Sequence, residues 1–117
     1  MKKFIWNNSG VCINANARKY KNSHASLIVL TAKHAEKWYY GYEIRMVKGT
    51  ERNPIQCSCK LPDLKLGPFK TEHDALKYLL ERFKKEYFKN PYYHDDNPYY
   101  RDLIKKFEVD IMQLKLF

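Results

Sequence analysis

Glycine is scarce in this chain, with four in 117 residues. That excludes a phosphate-cradling Gly-rich loop and a Gly-x-Gly-x-x-Gly dinucleotide fingerprint, which both need clustered glycines where backbone meets ligand. Cysteine is scarce too, and its odd count of three does not read as a secreted disulfide framework. The longest apolar run, around Leu27–Leu30, is far too short for a bilayer span. Met1-Lys2-Lys3 has the positive start of a signal peptide, but no apolar stretch follows. A cytoplasmic location with no membrane partner is therefore expected. Acidic residues are in deficit, 13 against 22 Lys and Arg, leaving a formal net charge of +9. Such a balance favours an anionic partner: nucleic acid first, an acidic protein second, a membrane surface third.

What is present is Lys, Asn and Tyr in quantity, with 10 tyrosines alone. This usage fits an AT-rich genome, such as that of a phage or another mobile element, so part of the Lys excess reflects mutational bias. The hydrophobic fraction of 44% and charged fraction of 30% are those of a globular protein, and the length suits one domain, residues 1–117.

Chemistry-bearing constellations do not assemble. Cys57-Ser58-Cys59 lacks the second ligand pair of a zinc site, and its cysteines share the apolar face of Ile55 and Leu61, so both read as small core hydrophobes. His24, His34, His73 and His94 stand singly, and no serine occupies a Gly-x-Ser-x-Gly elbow. His94-Asp95-Asp96 reads as a turn whose carboxylates complement the helix that follows. No catalytic residue, cofactor or metal site is assigned, and the expectation is a non-catalytic binding protein.

The periodicities predict an α+β fold: an antiparallel sheet of four to five strands packed against one long helix, with a second C-terminal helix. Phe4–Trp6 reads as a short strand before the Asn7-Asn8-Ser9-Gly10 turn. Val11, Ile13, Ala15 and Ala17 alternate as the core face of a strand, and Lys19–His24 reads as a polar connection. Ser26–Lys33 is apolar on both faces, as a central strand is. In the next strand Trp38, Tyr40, Tyr42, Ile44 and Met46 point one way, with Tyr39, Gly41, Glu43, Arg45 and Val47 opposite. Ile55–Leu61 is another half-buried strand. Thr71 is the expected N-cap of a helix to Lys89, with Ala75, Leu76, Leu79, Leu80, Phe83 and Tyr87 buried. Asn97 and Pro98 open the second helix. Beyond Phe107 both helix and strand remain open.

Alternation leaves Asn14, Asn16, Arg18, Tyr39, Arg45, Gln56, Ser58 and Lys60 on the sheet face away from the core. Amides and guanidinium forks read base edges, a sheet fits a major groove, and a tyrosine can stack an unpaired base. Arg18, Lys19 and Lys21 cluster at a strand end, a natural place for phosphate contacts. The site expected is thus Asn14, Asn16, Arg18, Lys19, Lys21, Tyr39, Arg45, Gln56 and Lys60, with DNA or RNA as partner. The alternative rests on Asn90-Pro91-Tyr92-Tyr93 and Asn97-Pro98-Tyr99-Tyr100. Tyr92, Tyr93, Tyr99 and Tyr100 either lid the core or form an aromatic patch on which a phage protein could bind and inhibit a host protein.

Trp38, Glu43-Ile44-Arg45, Leu66-Gly67-x-Phe69-x-Thr71, Ala75 and Tyr78 together resemble the ethylene-response-factor type of DNA-binding domain and the arm-binding domains of phage integrases. The resemblance covers well under half the chain. It implies a three-stranded sheet in the major groove, DNA contact by Arg45, and core positions for Leu66, Phe69 and Ala75. The chain departs from the pattern in its longer Trp38-to-Glu43 spacing and in the length of Val47–Lys65.

Overall fold

A computed structural model describes residues 3–46, 57–87 and 97–114. Four strands, β1 (Asn16–Lys21), β2 (Ala25–His34), β3 (Lys37–Met46) and β4 (Cys57–Lys60), form one sheet in the order β1-β2-β3-β4, every neighbouring pair antiparallel. Two helices, α1 (Glu72–Tyr87) and α2 (Asn97–Leu114), follow. The class is α+β, with both helices on one face of the sheet.

The core lies between that face and the helices. Leu27 and Val29 of β2 and Tyr40, Tyr42 and Ile44 of β3 meet Leu76, Leu79 and Phe83 of α1 and Leu103, Ile104 and Phe107 of α2, all buried. Each Leu, Ile or Phe sequestered this way contributes about 1.5–3 kcal/mol. Tyr42 and Phe107 both set ring edges against Phe83, at 5.3 and 6.2 Å between centroids. Thr71 caps α1 as expected, its Oγ1 accepting from the Asp74 N–H at 3.0 Å. Residues 107–114 continue the helix, because Phe107 and Ile111, one turn apart, both reach the core.

The N-terminal third departs from the alternation. The strand begins at Asn16 and runs through Lys21, five residues later than Val11–Arg18 predicts and across the expected connection. Residues 11–13 instead pair with 5–7 on one side and 62–63 on the other, through bridges Trp6↔Cys12 and Val11↔Asp63. In this small ladder Cys12 and Pro62 face inward and are buried, while Ile13 is 60% exposed, the reverse of the predicted faces. Its inner side, with Trp6 5.7 Å from Tyr39, covers the end of the sheet that the helices leave bare.

Two backbone positions carry this arrangement. A Cβ on Gly41 would lie 2.5 Å from the Lys60 carbonyl oxygen and 2.6 Å from the Pro62 nitrogen, so the chain leaving β4 crosses directly over a position without a side chain. The β2–β3 hairpin turns through Ala35 (φ 50°) and Glu36 (φ 65°), a left-handed pair made without glycine. Gly41→Ala should lower the unfolding free energy by about 1–3 kcal/mol in urea titration. Replacing Ala35 by Asn and Glu36 by Gly should raise it by about 1–2 kcal/mol in the same assay, because both left-handed residues are then compatible with the turn.

Candidate functional site

The two faces of the sheet have different fates. Cross-strand partners share a face, so the register Arg18↔Val29↔Tyr42 and Tyr20↔Leu27↔Ile44 sets Arg18 and Tyr20 on the helix side. The sequence places Arg18 on the open face; the structure reverses it. Tyr20 is the cause: its ring packs 5.9 Å from Phe107 and its hydroxyl donates to Asp110 Oδ2 at 2.6 Å, anchoring the parity of the whole strand. Arg18 then meets Glu72 at 3.8 Å, and the same carboxylate accepts from the buried Thr31 hydroxyl at 3.0 Å.

Other predicted members are also redirected. Asn16 pairs with Thr31 and so shares the helix side. Asn14 is consumed in tying the N-terminus, its amide donating to Lys3 O and its carbonyl accepting from the Ile5 N–H. Tyr39 does lie opposite the core, but it is only 8% exposed, covered by Trp6 and the chain at Gly67, so its ring has no face free for a base. In β4 the parity is likewise inverted: Cys59 pairs with Glu43 and is exposed, whereas Lys60 pairs with Tyr42. The register with Glu43 sets Cys59 on the face away from Tyr42, whose ring meets Phe83 edge-on. Ser58 stands in register with Ile44, and Gln56 lies outside the described residues.

Of the tyrosine pairs, Tyr92 and Tyr93 lie outside the described residues. Tyr100 is a buried core residue, and Tyr99 stacks on the His24 ring at 4.0 Å while its carbonyl accepts from Asn22. Tyr99 thereby joins α2 to the β1–β2 turn.

What remains open is the half of the sheet beyond the N-terminal cover. Two rows cross it, Lys21–Ser26–Arg45 and Lys19–Ile28–Glu43–Cys59. Arg45 is about half exposed and meets Glu43 at 3.6 Å. Among the described residues, Lys19 and Lys21 have no carboxylate within ion-pair reach. Where this face meets the chain leaving β4, a groove of about 660 Å³ opens. Val11, Leu30, Leu61 and Leu66 give it apolar walls, and Tyr42, Glu43, Cys59, Lys60, Asp63 and Lys65 complete its lining. The apolar residues of β2 on both faces are the one sequence signal that pointed here: Ile28 and Leu30 are the second face.

Among the described residues no group of three or more His, Cys, Asp or Glu could hold a metal, and no helix is long and apolar enough to cross a membrane. No protein-family model, curated protein or solved structure matches the chain.

Burial on the helix side raises the pKa of Tyr20, with the Asp110 hydrogen bond and the negative charge of that carboxylate adding to it. Burial raises Tyr40 as well, against the opposing effect of Arg82, which donates to its hydroxyl at 3.0 Å. A phenol whose folded pKa lies above its unfolded value contributes stability that is complete below about pH 10 and declines as pH rises through the folded value. Stability should therefore fall above about pH 10, and Tyr20→Phe should flatten that fall, measured by urea unfolding across the alkaline range.

Proposed function

We propose that this protein binds nucleic acid, DNA in the first instance, without catalysing a reaction, through the open half of its sheet. The observation that carries the reading is that Lys19, Lys21 and Arg45 come together from two strands on a face that neither the helices nor the N-terminal ladder covers. A formal charge of +9 supplies the longer-range attraction. Lysines held on adjacent rows of a sheet match the close phosphate spacing of a nucleic-acid backbone.

The placement of the amides sharpens the mode. Asn14 is occupied within the N-terminal segment and Asn16 is on the helix side, so neither is available to read base edges. Contacts from Lys19, Lys21 and Arg45 are phosphate contacts, which position a strand and carry little sequence information. Binding is accordingly salt-dependent and weakly selective. The ethylene-response-factor likeness supports the role of Arg45, which is on the uncovered face, but offers nothing for Arg18, which is paired with Glu72. Host-protein binding through the tyrosine pairs has less support, with Tyr100 in the core and Tyr99 stacked on His24.

Replacing Lys19, Lys21 and Arg45 together by Ala should weaken DNA binding and reduce the slope of log K against log salt by about 0.9 for every duplex phosphate that is no longer neutralised. Fluorescence anisotropy over a salt series measures both. Unchanged affinity and slope in the triple variant, with the circular dichroism spectrum preserved, would refute the proposal. Arg18→Ala serves as the contrasting variant and should leave the slope unaltered.

A further inference from the structure

The groove beside the basic rows has no part in phosphate contact, yet it adjoins them. Glu43, on its wall, is the residue that Arg45 meets at 3.6 Å, and Leu30 sits one residue pair along β2 from Ile28. Its volume of about 660 Å³ lies within the range of small-ligand sites and exceeds what one nucleobase fills. Its chemistry is that of a flat, partly polar guest. Val11, Leu30, Leu61 and Leu66 offer apolar surface to a ring face, Glu43 can accept from a ring or exocyclic N–H, and Lys65 can donate to a ring carbonyl.

A base inside a duplex cannot use such a groove. Its faces are buried in the stack, and only its edges and phosphates are presented. A base that has left the stack presents both faces and its Watson–Crick edge. We infer that the protein takes single-stranded nucleic acid, with one unstacked base seated in the groove between Leu30 and Leu61 while neighbouring phosphates lie along Lys19, Lys21 and Arg45. The inference rests on the basic-face reading above and adds to it the state of the strand and the place of a base. The charge balance of the groove fits, since Glu43 and Asp63 offset Lys60 and Lys65 and leave it suited to a neutral base beside a cationic track.

The test compares a short single-stranded DNA oligonucleotide with the same sequence as a duplex, by anisotropy at one low salt concentration. The single strand should bind more tightly, and Leu61→Ser should weaken that binding by about fivefold without altering its salt slope. Leu61 is 51% exposed, so the substitution leaves the core intact. Cys59, exposed and on the groove wall, gives a readout in the unaltered protein. Its alkylation, located by peptide mass spectrometry, should be slowed by the single strand and not by the duplex. Equal affinity for strand and duplex, unchanged binding by Leu61→Ser, or unprotected Cys59 in the saturated complex would each overturn the base-seating inference. If duplex binding persists and its salt slope falls in the Lys19, Lys21 and Arg45 variant, the basic-face reading survives alone. Absence of binding to either probe removes both.

Discussion

The chain leaving β4 passes over Gly41 with backbone atoms where any other residue would put its Cβ, and much of the molecule is organised around that crossing. It carries residues 61–64 from the sheet edge to the uncovered face, where Pro62 and Asp63 pair with Cys12 and Val11 and hold the N-terminal ladder in place. From there the chain returns along β3, with Leu66 O accepting from Tyr40 N–H and Phe69 pairing with Trp38, and delivers Thr71 to the start of α1. One absent side chain thus connects the sheet edge, the cover and the first helix. The groove is the space left beside this crossing.

The sheet is asymmetric for a related reason. Helices cover one face of β2 and β3, burying Leu27, Val29, Tyr40, Tyr42 and Ile44. Among the described residues the other face has only the short ladder and the chain that follows it, enough to bury Ala32 and Tyr39 but not Ile28, Glu43 or Arg45. Basic side chains are tolerated there because water still reaches them. On the covered side three cations are held in place: Arg18 by Glu72, Arg82 by Glu86 and Tyr40, and Lys84 by Glu108. On the open face Arg45 meets Glu43, and Lys19 and Lys21 have no carboxylate within ion-pair reach among the described residues.

Much of the fold was legible along the chain. The helical stripe from Ala75 to Phe83, the Thr71 cap, and the two-faced pattern of residues 38–44 are periodic, and each is carried by large apolar residues whose burial outweighs local alternatives. The open face was less legible, because small or weakly apolar residues such as Cys12, Ala15, Ala17 and Cys59 alternate without enough difference in burial energy to fix a parity. A single strong anchor decided it instead: Tyr20, bound to Phe107 and Asp110 some 90 residues away in sequence, turned Arg18 inward with it. Arg45 was placed correctly because Tyr40, Tyr42 and Ile44 bracket it in an unambiguous pattern.

By itself the sequence determined the class of fold, the helices with their buried stripes, the basic character of the molecule and the absence of familiar phosphate-loop or hydrolase motifs. These depend on local spacing and composition. Only the tertiary structure decided which basic residues share a surface, which amides are already occupied and where a groove opens. Those outcomes depend on register and on distant partners, and a strand shifted by one residue exchanges every side chain between its two faces.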